Sequence, residues 1–169
     1  MKTIWIINQD ATTPAIGYAG RSYYLAEELG KLGYEVYLIA GGYSHLHFKP
    51  IEMKEEYEII DHSTFKMVWV KLPNYGGAHN KKRILNWFLF AIKLPRLIKV
   101  VKTKPDLIIY SSPPVVGFLG ALAIKRKHKS KLIFELRDIW PLTLKVLGGY
   151  KWYIKEDIPA NPAVPKSSS

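Results

Sequence analysis

Short apolar runs recur along this chain, at residues 4–7, 36–40, 107–110 and 132–134 among others. Between them lie longer stretches in which apolar positions return every three or four residues. The first pattern suits a strand covered on both faces and the second an amphipathic helix. Their alternation predicts an α/β fold: a doubly wound, mostly parallel sheet with helices on both faces.

Residues 3–8 read as the first strand. Residues 20–32 read as a helix with apolar or aromatic positions at Tyr24, Leu25, Leu29 and Leu32, and 35–40 as the second strand. Gly33 stands where a helix C-terminus favours glycine, and the short return to the next strand closes one right-handed β-α-β unit. Farther on, 57–60 and 65–72 read as strands, the latter with its alternation broken at Lys66, Trp69 and Lys71. Residues 74–77, Asn-Tyr-Gly-Gly, form a turn. Residues 80 to 102 read as a helix, or as two helices meeting at Pro95, because proline lacks a backbone donor and collides with the preceding turn. A buried strand at 107–110, a helix at 115–127 and a buried strand at 132–136 complete the series. Residues 1–149 are thus expected to form one Rossmann-like domain. Residues 150–169 contain Pro159, Pro162 and Pro165, end in Pro-Lys-Ser-Ser-Ser, and read as an irregular tail, either packed down or a truncation scar.

Length and composition narrow the picture. The 169 residues suffice for one domain with a substantial core, and 48% hydrophobic with 13% aromatic residues are globular values. With no cysteine, disulfides, thiolate nucleophiles and cysteine metal sites are excluded, and a reducing compartment is compatible. The apolar start at 4–7 is too short for a signal peptide, so a cytoplasmic location is expected. The apolar stretch 107–124 is interrupted by Ser111-Ser112-Pro113-Pro114 and is not expected to span a membrane. The net charge of +11 is unevenly placed: residues 81–104 carry eight Lys or Arg and 125–131 five more, with Asp106 the only acid from 81 to 131. Such clustering attracts polyanions, although an ordinary solvated helix face has the same appearance.

Candidate chemistry lies where strands end. In Glu135-Leu-Arg-Asp-Ile-Trp-Pro, the residues Arg137, Asp138 and Trp140 follow a strand, and open α/β sheets bind ligands outside the carboxyl ends of their strands. A charged pair beside an aromatic ring suits a sugar or a phosphate; an Arg-Asp pair that only closes the strand is the alternative. Gly17-Tyr18-Ala19-Gly20-Arg21 opens the first helix, where glycines let a diphosphate or sugar approach backbone N–H groups; two plain turn glycines are again the alternative. The loop is not the dinucleotide Gly-x-Gly-x-x-Gly. Ser111 and Ser112 follow a strand and can donate hydrogen bonds, but no Gly-x-Ser-x-Gly elbow makes either a hydrolase nucleophile. His45 and His47 lack further ligands at metal spacing, so no metal and no cofactor is expected.

As a set, Gly17-Tyr-Ala-Gly-Arg-Ser-Tyr-Tyr-Leu-Ala-Glu-Glu-Leu, Leu32-Gly-Tyr-Glu-Val-Tyr-Leu-Ile and Glu135-Leu-Arg-Asp-Ile-Trp-Pro resemble the amino-terminal half of a family 4 retaining glycosyltransferase of the GT-B fold. The similarity is to the fucosaminyltransferase-like subgroup that builds bacterial surface polysaccharide. The resemblance implies an acceptor-binding domain. A second domain would bind a nucleotide diphosphate sugar, and transfer would retain anomeric configuration without a metal. It places the loop from Gly17 to Arg21 near phosphates and acceptor, and Arg137 and Asp138 beside the transferred sugar. Many relatives carry histidine at the position matched to Arg137; arginine cannot act as a base there but can orient an anion or stabilise developing charge. Asp10 stands where relatives tend to carry an aromatic or apolar residue. The donor domain, with its two glutamates eight positions apart, has no counterpart in this sequence. Glu27 and Glu35 have that spacing by chance, since one falls in a helix and the other in a strand.

Three readings follow: the acceptor half of a transferase, inactive alone; a stand-alone accessory or binding subunit of a two-chain transferase, whose partner chain carries the donor domain; and a nucleotide-binding oxidoreductase or epimerase domain, which the first loop disfavours. A homo-oligomer or a partner chain is compatible with the sequence. Nucleic acid is not expected, since charge alone points to it. A lipid-linked or glycan acceptor would suit a peripheral position at the inner face of the cell membrane. Lys81, Lys82 and Arg83 precede Ile84-Leu-Asn-Trp87-Phe88-Leu-Phe-Ala-Ile92, and basic residues follow, a pattern fit for the anionic headgroup region but far below the roughly 20 apolar residues of a span. The alternative is that Trp87, Phe88 and Phe90 pack into the sheet or a dimer interface.

Overall fold

The computed structural model describes residues 1–44, 47–49, 51–74 and 82–137. Within residues 1–137, one compact unit, six strands form a single sheet. The strands are β1 (Thr3–Ile7), β2 (Glu35–Gly41), β3 (Tyr57–Asp61), β4 (Lys66–Val70), β5 (Leu107–Ser111) and β6 (Lys131–Glu135). Their order is β3-β4-β2-β1-β5-β6, and every pair is parallel except β3 with β4. The fold is the mostly parallel α/β sheet that the alternating pattern predicts.

Among the described residues four helices flank it: α1 (Arg21–Lys31), α2 (Lys82–Lys93), α3 (Leu97–Val101) and α4 (Gly117–His128). A 3-10 turn at Leu94–Arg96 joins α2 to α3, so the long helical stretch does divide at Pro95. α1 ends at Lys31, and Gly33 follows at φ +85°, a conformation that carries little penalty only without a Cβ.

The two faces carry separate cores. On one, Ala26, Leu25 and Leu29 of α1 pack with Ile4 and Ile6 of β1 and with Met67 and Trp69 of β4. On the other, Phe90 of α2, Leu94, Leu97 of α3 and Ala121 and Ile124 of α4 pack with Trp5, Ile7, Ile108 and Tyr110. The broken alternation of β4 is explained by this sandwich, because a strand covered on both faces needs no polar face. Gly120 lets α4 approach α2: a Cβ there would meet the Ala91 carbonyl oxygen at 2.4 Å.

Two expectations are corrected. In α1 the inward positions include Tyr23 and Ala26, whereas Tyr24 and Leu32 are 55% and 73% exposed; Leu32 lies past the last helical turn. The strand 132–136, read as buried, is β6, an edge strand among the described residues, with Ile133 and Phe134 substantially exposed. An apolar run alone does not distinguish an edge strand from a central one. No helix among the described residues is long and apolar enough to cross a membrane.

Tyr110 ties β5 to the turn after it. Its fully buried hydroxyl donates to the Pro114 carbonyl, and its ring stacks on Phe134 with centroids 6.0 Å apart. Burial, and to a lesser degree the charge of Asp10, pushes the phenol well above its ordinary value of 10.0; burial likewise pushes Tyr57 up to about 12. A raised folded-state pKa means stability fully present below the unfolded value and lost as pH climbs beyond it. Urea midpoints measured from neutral to alkaline pH should therefore fall once pH passes about 10. Tyr110→Phe, less stable by about 1 kcal/mol near neutrality, should fall less steeply. Identical slopes for the two proteins would contradict this account.

Candidate functional site

The direction of chain travel across the sheet reverses at β1: β2 lies on one side of it and β5 on the other. Right-handed crossovers then place α1 and α4 on opposite faces, leaving a crevice outside the carboxyl ends of β1 and β5. The residues at these ends are polar, and most are buried.

Past Ile7, Asn8 donates from Nδ2 to the Ser22 hydroxyl in the first turn of α1 at 2.9 Å, and its Oδ1 accepts from Asp10 N–H at 3.1 Å. Gln9, 4% exposed, accepts from Gly41 N–H through its carbonyl, whereas its side-chain Oε1 has no hydrogen-bond partner among the described residues. Asp10 accepts from the Ser44 hydroxyl at 3.2 Å. At the end of β5, Ser111 is 1% exposed and its hydroxyl is likewise buried without a partner among the described residues. Ser112 closes the neighbouring strand: its N–H donates to the Glu135 carbonyl and its Oγ accepts from Arg137 N–H, both at 3.0 Å.

Ser111 is in register with Glu135, and Asn8 lies one residue beyond the pairing of Ile7 with Tyr110. Asn8, Ser111 and Glu135 therefore share the α1 face of the sheet, as a polar row ending an apolar surface. Arg21 reaches this row from the first residue of α1 and forms an ion pair with Glu135. A cation at a helix N-terminus is opposed by the helix dipole, and no acid occupies the first turn of α1. Glu135 provides the compensating charge from a strand more than a hundred residues away.

The sequence-derived candidates are placed as follows. Arg21, Ser111, Ser112 and Arg137 come together at this edge; Asp138 and Trp140 lie outside the described residues. Gly17 is buried, its N–H donates to the Thr13 carbonyl at 2.9 Å, and it forms a bridge with His47. Gly20 caps α1 in an extended conformation, with open space where a Cβ would stand. Tyr18 is 79% exposed and meets the exposed Phe48 edge-on, 4.7 Å between centroids, forming an aromatic lip beside the crevice. Asn8, Gln9 and Glu135 were not among the candidates. Glu135 stands within the motif, but Asn8 and Gln9 gain meaning only from their position at the end of the central strand.

Of the membrane candidates, Lys81 lies outside the described residues and Lys82 is exposed. Arg83 places its guanidinium 5.8 Å from the centre of the half-buried Trp87 ring, and Phe88 is 50% exposed. Phe90, by contrast, is fully buried. Among the described residues no group of three or more His, Cys, Asp or Glu is placed to hold a metal ion, and His45 lies outside them.

An unpartnered buried hydroxyl costs roughly 1–3 kcal/mol, so a protein that keeps one at a ligand edge sacrifices stability. Ser111→Ala should raise the unfolding free energy by about 1 kcal/mol, whereas Ser112→Ala, which orphans Arg137 N–H, should lower it by about the same amount. Urea denaturation of both variants checks this; a Ser111→Ala protein clearly weaker than wild type would show that the hydroxyl is satisfied.

Residues 18–160 match the family model described as Glycosyltransferase Family 4. No curated protein matches the chain.

Proposed function

The chain belongs to Glycosyltransferase Family 4, and on that premise we propose that it supplies the acceptor-binding half of a retaining GT-B transferase of the polysaccharide-building, fucosaminyltransferase-like kind. Such an enzyme moves a sugar from a nucleotide diphosphate donor to a lipid-linked glycan acceptor. The observation that carries the reading is the family match together with the polar row at the β1–β5 crevice, where buried Gln9 and Ser111 retain hydrogen-bonding capacity. Sugar hydroxyls, each both donor and acceptor, suit such groups. The exposed ring of Tyr18 beside Phe48 suits the apolar face of a pyranose.

In this reading Arg137 and Asp138 stand beside the transferred sugar. Arg137, held at its backbone by Ser112, orients or neutralises an anionic group of the donor as the leaving diphosphate gains charge. Arg21 is kept close by Glu135 and adds positive charge at the same edge. The domain 1–149 is the acceptor half, and the donor is held by a second half across the cleft.

Membrane contact falls to α2. Ile84, Phe88 and Ile92, spaced four residues apart, are 49%, 50% and 59% exposed, and Leu85 lies beside them at 51%. α4 packs next to α2 and carries exposed Leu119, with exposed Val115 just before its start. This face, with Lys82 and Arg83 at its start and Lys81 before them in sequence, suits an anionic bilayer surface, each nearby cation contributing about 1 kcal/mol.

Two expected outcomes test the reading. Purified chain given nucleotide sugars and lipid-linked acceptors should show no transfer, because half a cleft cannot hold both reactants in contact; steady turnover without a partner would refute this. In vesicle co-sedimentation, binding to anionic vesicles should weaken with salt, on replacing Lys81, Lys82 and Arg83 by Gln, and with Phe88→Ser. Binding indifferent to all three, or absent, would remove the membrane from the proposal.

A further inference from the structure

The basic residues at the end of α4 take no part in that reading. They lie at the amino edge of the sheet, opposite the edge that carries Ser111 and Glu135, because α4 ends and β6 begins there. A groove of about 570 Å³ opens at this edge between the end of α1 and the turn from α4 to β6. Ile4, Leu107, Leu29 and Tyr34 line its apolar side, and Lys2, His128, Lys129 and Lys131 its basic side.

The basic side is held in place. Ser130 is buried and donates from its hydroxyl to the Pro105 carbonyl at 2.6 Å, and Lys131 N–H donates to the Asp106 carbonyl at 2.9 Å. Lys129 takes a left-handed conformation, φ 57°, as the residue ending α4. Asp106 is the one acid lining the groove, and its carboxylate already accepts Thr3 N–H at 2.7 Å. Three lysines thus face one partly engaged carboxylate. Partial burial, then Lys127 and Lys104, lowers the pKa of His128 from 6.5, and these two lysines extend the positive charge beyond the lining residues.

We propose that this groove is a second ligand site, separate from the transfer crevice, that binds a phosphate monoester carrying an aromatic or apolar body. The volume falls within the range of about 300–1,000 Å³ typical of small-ligand pockets and far exceeds the needs of a bare phosphate. The phosphate lies on the ammonium groups of Lys2, Lys129 and Lys131, which bind it as point charges, and the organic body lies against Tyr34 and Leu29. The imidazole of His128 supplies a further hydrogen bond.

The test titrates the chain with 1-naphthyl phosphate while following His128 and Tyr34 by NMR. The expected result is saturable shifts of both, with the His128 pKa rising as the bound dianion offsets its lysine neighbours. Inorganic phosphate and 1-naphthol should each bind at least about tenfold more weakly, since each lacks half of the recognition. Lys129→Gln combined with Lys131→Gln, two exposed positions, should weaken 1-naphthyl phosphate by about tenfold or more. Equal binding of naphthol and its phosphate to wild type, or equal affinity in the double variant, overturns the site. Shifts confined to the opposite edge, around Asn8 and Ser112, also overturn it. Neither sugar nor vesicles enter the assay, so its outcome is independent of the transferase reading.

Discussion

The parallel pairing of β1 with β2 on one side and β5 on the other is the constraint on which the rest depends. All five residues of β1 are buried, and its side chains feed both cores, Ile4 and Ile6 toward α1, Trp5 and Ile7 toward α2, α3 and α4. Because the chain leaves β1 toward β2 and returns to its other flank as β5, the handedness rule assigns the connecting helices to opposite faces. A gap at the carboxyl end of β1 is the geometric result. What fills that gap chemically is decided by the few residues just beyond the strands.

Those residues reverse the logic of the core within one or two positions. Ile7 and Tyr110 are fully buried and apolar in contact; Asn8, Gln9, Ser111 and Ser112 are nearly as buried and polar. Asn8 and Ser112 are engaged by Ser22 and Arg137, which fastens α1 and β6 to the central strands. Among the described residues Gln9 Oε1 and Ser111 Oγ have no partner, and a buried polar group left so is a cost that packing elsewhere must offset. The two deep hydrophobic faces make such an expense bearable. The ion pair of Arg21 with Glu135 is exposed on the arginine side and adds little stability; its effect is positional, keeping a cation at the crevice against the helix dipole.

The order and type of the elements were legible in the sequence because each carried a strong local signal: unbroken apolar runs for β1, β2 and β5, helical spacing with Gly33 for α1, and Pro95 for the division between α2 and α3. The edge position of β6 was not legible, since Leu132-Ile-Phe has the same composition as a central strand and only the sheet order exposes it. At the site, the motif around Glu135 and Arg137 and the serine pair at 111 and 112 stood out by chemistry. Asn8 and Gln9 did not, because an Asn-Gln pair after a strand is ordinary loop sequence until the neighbouring strand ends are known. Gly17, read from the sequence as a glycine beside a helix start, is placed by the fold in a turn where its N–H donates to the Thr13 carbonyl.

Charge illustrates the same limit of linear reading. Residues 81–131 form one basic stretch in sequence, but the fold divides it. Lys82 and Arg83 start α2 near the carboxyl edge of the sheet, whereas Lys102 and Lys104, after α3, and Lys125 to Lys131, around the end of α4, gather at the amino edge. Lys93 ends α2 still beside the carboxyl end of β4, donating to the Lys71 carbonyl, and it is the run through α3 into β5, like α4 into β6, that carries the chain to the amino edge. At a Debye length of about 8 Å in physiological salt, exposed charges at opposite edges of a domain scarcely sense one another. A net charge of +11 is therefore better treated as two local fields with different neighbours, apolar helix surface at one and a walled groove at the other. The fold, rather than the composition, determines what surrounds each field.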